Sequence, residues 1–217
     1  MNRSTRAVPT SLRRRPAVWL AALLLVGALA PLVQAPPAAA QQGARVKAMN
    51  LAELVGSSGV ILRGRVLSAR PEKHPQLANL DTVLVTLRVD EVLKGKAGAE
   101  YSFRLFVWNA LEANTTLGYK PGEEMLLMLR TPSEYGLSSP AGFEQGSFRF
   151  QRDAQGTETL VNGRGNRGLM SGVEAAVPQL QQRISAQARV LMKQHQDGPI
   201  GYTEFKDLVR GIVAARQ

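Results

Sequence analysis

Along most of the chain apolar and polar residues alternate with a period of two, and helical spacing is confined to the two flanks of that stretch. Leu51, Leu54 and Val55 form a short helical stripe, closed by the turn-prone Gly56-Ser57-Ser58-Gly59. Residues 60–70 then read as a strand. Val83, Val85, Leu87 and Val89 alternate with Thr82, Leu84, Thr86 and Arg88, which places one apolar face on a sheet. Lys94-Gly95-Lys96-Ala97-Gly98 breaks the run, and Tyr101, Phe103, Leu105 and Val107 resume it as a third strand. Pro121-Gly122 marks a turn before residues 125–129, an apolar run of the length of a buried fourth strand.

Residues 131–146 are rich in Gly, Ser and Pro and predict a long surface loop. A hairpin follows, with Phe148 and Phe150 on one arm, Asp153-Ala154-Gln155-Gly156 at the turn, and Leu160 and Val161 on the other. Leu180, Ile184, Ala188 and Leu191 recur at helical spacing. Phe205, Leu208, Val209, Ile212 and Val213 do so again, with Thr203 as the N-cap. The pattern predicts a mainly β protein, a five- to six-stranded OB-like antiparallel barrel with C-terminal amphipathic helices, because a small sheet of consecutive strands hides its edges by closing. The layout is then an N-terminal segment with a short helix over 41–58, the barrel over 59–162, a flexible Gly-rich loop over 163–176 and two helices over 177–217.

Residues 1–40 read differently. Arg13-Arg14-Arg15 precede an almost wholly apolar run over 17–33, and Ala38-Ala39-Ala40 supply a small-residue cleavage pattern, the three-part layout of a secretory signal peptide. The run is short for a membrane span and contains Pro31, so cleavage near Ala40 and a periplasmic or secreted product are expected, with no stable membrane insertion afterwards. Of the formal net charge of +10, half comes from Arg3, Arg6, Arg13, Arg14 and Arg15 in the leader. The surplus left on the mature chain suits solubility and weak attraction to anionic polymers, not a nucleic-acid groove. With no cysteine, disulfides, thiolate metal sites, a thiol nucleophile and a lipid-anchored N-terminal cysteine are all ruled out, and the domain holds together by packing alone.

Against this pattern, Leu54-Val55, Ser58, Val60-Ile61-Leu62-Arg63-Gly64-Arg65-Val66, Val89-Asp90-Glu91-Val92-Leu93-Lys94-Gly95 and Pro121-Gly122-Glu123-Glu124 become recognisable. Together they resemble the netrin-like, OB-type domain found in tissue inhibitors of metalloproteinases and in many bacterial exported proteins. The resemblance covers roughly residues 50–161 and implies the barrel fold. Those inhibitors place an amino-terminal cysteine on a protease's zinc, and this chain has no cysteine, so that mechanism does not carry over and no residue inherits a catalytic or zinc-binding role.

Several motifs invite chemistry. Gly163-Arg164-Gly165-Asn166-Arg167-Gly168 matches a dinucleotide phosphate loop letter for letter, but that mechanism needs a helix beginning inside the motif, and Ser171-Gly172 and Pro178 delay it. The expectation is a loop on which Arg164 and Arg167 can meet an anionic partner. Residues 195–205 resemble the second half of an EF-hand, with Gly198 at the sharp turn, Ile200 at the central apolar position and Glu204 at the bidentate acid. Lys193 stands where the first carboxylate belongs, which leaves Asp197 and Glu204 as the candidate calcium ligands and favours a helix-loop-helix whose glycine and apolar residues serve packing. The two histidines, His74 and His195, have no local catalytic partner, and the acids Asp90-Glu91 and Glu123-Glu124 alternate faces on a strand, so each reads as a solvated charge.

Phe106 and Trp108 point opposite to Phe103 and Leu105 and are candidate partner-binding residues, although support for the terminal helices is the favoured role. The expected function is therefore an exported non-enzymatic binding module, without a cofactor, acting on an envelope or extracellular macromolecule, with a peptidase among the candidates. A calcium-responsive helix-loop-helix module and a carboxylate-based hydrolase are the alternatives.

Overall fold

The computed structural model describes residues 46–108, 112 and 114–216. The expected signal peptide at 1–40 lies outside them. The described chain forms one compact unit from Val46 onward, mainly β, with a layer of helices on one face.

Helix α1 (Leu51–Ser57) starts where the sequence supplies a capping box. Asn50 Oδ1 accepts from the Glu53 amide at 2.9 Å, and the Glu53 carboxylate accepts from the Asn50 amide at 3.0 Å. At its far end Lys94 Nζ donates to the carbonyls of Val55 and Ser58, at 2.7 and 2.6 Å, which satisfies the helix's orphan acceptors and favours a cation there.

Strands β1 (Val60–Lys73) and β2 (Asp81–Lys94) form a long antiparallel ribbon. It bends at three register shifts, between Ile61 and Leu62, Arg63 and Gly64, and Val66 and Ser68, as bulges bend strands. At the second of these the backbones come so close that a Cβ on Gly64 would stand 2.4 Å from the Arg88 carbonyl oxygen. Strands β3 (Glu100–Phe106), β4 (Glu124–Leu129), β5 (Ser147–Arg152) and β6 (Glu158–Asn162) follow, each antiparallel to its neighbours. A two-residue β7 (Ile200–Gly201) adds to β6.

The sheet order is β3-β2-β1-β4-β5-β6-β7. Two expectations are corrected here: the strands number seven rather than five or six, and the sheet does not close into a barrel. Residues 137–140 touch both sides of the gap between β3 and β4, through the isolated bridges Arg104–Leu137 and Leu129–Pro140. Pro140 within this segment and Pro132 ahead of it in the same loop bring no N–H, which works against a ladder that would complete the ring. The seventh strand escaped notice because Ile200 sits in the loop that resembles an EF-hand, where it reads as a loop's central apolar residue.

The curl of the sheet divides the interior in two. Leu62, Val66, Val83, Val85, Leu87, Phe103, Leu105, Met125, Leu127 and Leu129 fill its concave side. Ile61, Leu126, Met128, Phe148 and Leu160 face the helices, meeting Leu54 and Val55 of α1 and Phe205, Leu208, Val209 and Ile212 of the C-terminal helix. β4 serves both cores, which is why its run is continuously apolar.

Residues 163–176, expected as a flexible link, are a string of turns leading to α2 (Val173–Ala176), and they bury Leu169, Met170 and Val173. Buried Asn166, in left-handed conformation at φ 59°, donates to the carbonyls of Leu160 and Gly198, both at 2.9 Å. The expected stripe Leu180, Ile184, Ala188 and Leu191 is not one helix. A 3-10 turn (Leu180–Gln182) precedes α3 (Ala186–Gln194), which Ser185 caps. Helix α4 (Tyr202–Ala215) begins one residue before Thr203, and its cap is Gly201.

An ionic cluster fastens α4 to the sheet. The Arg63 guanidinium lies over the rings of Phe150 and Tyr202, 4.3 and 4.6 Å from their centroids, and donates to both carboxylate oxygens of Glu158 at 3.0 Å and to Glu124 at 2.6 Å. Glu91 accepts from Tyr202 Oη and, at 2.8 Å, from Arg210, with Lys206 Nζ at 3.4 Å. Glu91 and Glu124 were expected to be solvated charges; Glu91 is engaged by a helix from the far end of the chain, and Glu124 by Arg63 and Arg65 of β1. Burial works against the Glu91 carboxylate, but the Tyr202 hydroxyl and the two cations outweigh it and hold its pKa below the usual range. The Arg63 hydrogen bonds do the same for Glu158.

Leu127→Ala, at the centre of β4, is expected to cost about 2–5 kcal/mol in denaturant unfolding, whereas Leu67→Ala, at a 44% exposed position, should change stability by less than about 0.5 kcal/mol. Depressed carboxylate pKa values stabilise the fold above the ordinary carboxylate range and lose that contribution as pH falls through the folded values. The urea midpoint should therefore drop between about pH 7 and about pH 3, and Glu91→Gln should narrow the difference.

Candidate functional site

Where the sheet fails to close, a cavity of about 540 Å³ opens between the end of β3, the loop 117–119, the start of β4 and the loop 130–144. Its floor is the concave core itself: Leu105, Tyr119 and Met125 are 7, 7 and 1% exposed. Leu117, Leu137 and Pro140 continue the apolar wall.

The rim is aromatic. Phe106 and Trp108 lie edge to face with ring centroids 5.0 Å apart, and Trp108 meets Phe143 in the same way at 6.2 Å. Trp108 is 75% exposed and Phe143 44% exposed. Phe143 takes a left-handed backbone conformation, φ 56°, immediately after Gly142 at φ 61°. A non-glycine residue there costs on the order of 1 kcal/mol, so the fold spends conformational strain to hold this ring at the mouth.

The loop that roofs the cavity is anchored from a distance. His74, 3% exposed, accepts at Nδ1 from the amides of Gln76 and Leu77, each at 3.1 Å, and its Nε2 lies 2.8 Å from the Tyr135 carbonyl. Two donors at Nδ1 leave the ring proton on Nε2, so the neutral ring donates to Tyr135. The histidine without a local partner thus has one 61 positions away. Ser138 Oγ donates to the Arg130 carbonyl at 2.7 Å, and the Arg130 amide donates to the Ser139 carbonyl at 3.0 Å. These bonds fix the base of the loop.

Charged side chains on the wall are few. Arg149 Nε donates to Glu123 at 2.6 Å, which occupies that arginine; the second Glu123 oxygen is buried with no partner among the described residues. Arg130 lines the cavity and has no carboxylate partner among the described residues. Glu144 is turned against Gly163, where its Oε2 stands 3.2 Å from the position a Cβ would take. Burial pushes the Tyr119 phenol up to about 12, so it stays protonated at the floor.

Of the sequence candidates, the structure brings Phe106 and Trp108 together on the cavity rim. Neither packs into the core beneath the terminal helices, which corrects the role favoured for them. Arg164 and Arg167 are exposed on the turns after β6 and do not line the cavity; of that motif only Gly163 does. No helix begins within residues 163–168. Asp197 is exposed on the loop between α3 and α4, and Glu204 lies in the first turn of α4. No group of three or more His, Asp or Glu suited to a cation occurs among the described residues. Glu123 and Glu124 part company, one held by Arg149 and the other by Arg63.

Phe143, Arg130 and the roles of Tyr119 and His74 were not found by sequence reasoning. The available signal was a pair of large aromatic residues, Tyr135 and Phe143, inside an otherwise Gly-, Ser- and Pro-rich loop. Comparison with protein-family models, curated proteins and solved structures finds no match for this chain.

His74→Ala removes the donor to Tyr135 and the acceptor for two amides, and should lower stability by about 1–3 kcal/mol. Hydrogen exchange should show the loss first as faster exchange at residues 130–140, with the β4 amides still protected.

Proposed function

We propose that the protein is an exported, non-enzymatic binding module that captures an apolar portion of an envelope or extracellular macromolecule in the aromatic-rimmed cavity. The observation that carries this reading is the rim itself, in which Trp108 is 75% exposed and Phe143 is held beside it at the cost of a left-handed backbone. Large exposed aromatic rings around an apolar concavity are costly to leave in water and mark places where a partner covers them. The leader pattern of residues 1–40 supports export, and the absence of cysteine supports a fold that needs no oxidative stapling to work there.

A non-enzymatic role is supported by the state of the acids. Glu91, Glu123, Glu124 and Glu158 are each engaged by an arginine, and a carboxylate held in an ion pair is a poor proton shuttle. The long bent β1, shared between β2 and β4 around a concave core, supports the resemblance to netrin-like domains. On that resemblance a peptidase remains a candidate partner, through contacts other than a cysteine on zinc.

The test is capture from an envelope extract by the immobilised chain and by Trp108→Ala/Phe143→Ala. The unaltered protein is expected to retain a defined partner that the double variant loses at least tenfold, while the thermal midpoint of the variant stays within a few degrees, as expected for exposed positions. Retention that ignores the substitutions, or turnover of a substrate by the purified chain, would sink the proposal.

A further inference from the structure

We infer that protonation of His74 unlatches the loop that roofs the cavity, so that the cavity keeps its shape near neutral pH and opens in mild acid; this rests on the reading of the cavity as the binding site. The latch is a three-way contact. His74 follows the last residue of β1 and joins the connection 74–80 to the tip of the roof loop, residues 133–137. Its Nδ1 accepts from the amides of Gln76 and Leu77, and its Nε2–H donates to the Tyr135 carbonyl. Both ring nitrogens are thus used, and only the neutral ring with its proton on Nε2 satisfies all three partners.

A second proton has one place to go, Nδ1. There it would point at two N–H groups and deprive both of their acceptor. With the ring 3% exposed, solvent does not take over that role, and the new charge would stand unmatched. Glu72 of β1 accepts from Arg104 of β3 at 2.6 Å, and Lys73 pairs with Asp81 of β2 at 2.6 Å. Residues 75–80 carry no charge, and on the roof loop Glu134 and Tyr135 are exposed. Among the described residues no carboxylate forms an ion pair with this imidazole. The latched state therefore excludes the imidazolium, which forms on a ring that has swung clear.

What the latch holds decides what its release does. Ser133 and Leu137, at the two ends of the tip, line the cavity. Ser138 beside them donates its amide to the Arg104 carbonyl at 2.8 Å. Among the described residues, Tyr135 and Ser138 supply the hydrogen bonds that tie the tip to the β1–β3 side of the gap. Losing the first leaves the second to fray, and the wall at Leu137 goes with it.

A histidine in water takes up its proton at about pH 6.5. Because only the released ring binds it, the latched loop is favoured above that pH and loses its advantage below. The ratio of released to latched loop should rise about thirtyfold from about pH 7.5 to about pH 5. Glu91 and Glu158, with depressed pKa values, stay ionised through this window and keep α4 docked.

The experiment is amide hydrogen exchange on the intact protein at those two pH values, with each rate divided by its intrinsic rate. Gln76, Leu77 and Ser138 should lose protection about thirtyfold in acid, while β4 and α4 keep theirs. His74→Gln keeps a side-chain donor for Tyr135 and does not titrate, so protection at Ser138 should become independent of pH. His195→Gln, which removes the other histidine, should leave the acid effect intact; circular dichroism confirms that each variant is folded. Retention of the envelope partner should fall at least about twofold in acid for the unaltered chain and stay level for His74→Gln.

Protection at Ser138 that ignores pH overturns the inference, as does an acid effect that persists in His74→Gln. If the latch fails in this way while Trp108→Ala/Phe143→Ala still abolishes capture, the binding-cleft reading stands. If Ser138 responds as expected but capture at neutral pH is indifferent to the rim substitutions, the latch stands and the cavity is not where the partner binds.

Discussion

Met125, Leu127 and Leu129 face the concave core while Leu126 and Met128 face the helices, so β4 has no side it can give to water. Everything else is arranged to cover those two faces. The bent ribbon of β1 and β2 wraps one of them, and α1 and α4 close the other. Burial of a side chain of this size contributes about 1.5–3 kcal/mol, and without a disulfide this double burial is the main source of cohesion available to the chain.

The same geometry explains why there is a cavity at all. β1 gives its first half to β4 and continues beyond it paired with β2 alone. That carries β3 away from β4 and leaves a gap that two isolated bridges from residues 137–140 span without filling. What keeps the gap shaped is a set of long-range polar contacts, His74 to Tyr135 foremost. Phe143, strained in its backbone, faces Trp108 across the rim. The proposed binding role is thereby tied to incomplete closure: a finished barrel would have buried the wall of the cavity.

Charge is distributed according to the same division. On the helix side of the sheet arginines and acids are matched, with Arg63 over two aromatic rings and Glu91 among Tyr202, Lys206 and Arg210. Such pairs secure the docking of α4 more than they add net stability, because each desolvated charge costs what its partner returns. In the cavity the matching is incomplete, and Arg130 is the cation left over among the described residues.

The alternation of Val83, Val85 and Leu87, the unbroken run of residues 125–129 and the hairpin at Asp153 to Gly156 were legible in the sequence, because a strand's period and a turn's chemistry are local. So was the opposite pointing of Phe106 and Phe103, which follows from pleating alone. Barrel closure, the short β7, the break between the 3-10 turn and α3, and the partners of His74, Glu91 and Glu124 were not legible. Each depends on which distant segments meet, and hydrogen bonds between residues some 60 to 110 positions apart leave no periodic trace in either segment. Local pattern thus determined that this chain makes strands, where most of them lie and which faces are apolar. Only the tertiary structure decided that the sheet stays open, because that outcome depends on how the bends of β1 and the prolines of one loop add up in space.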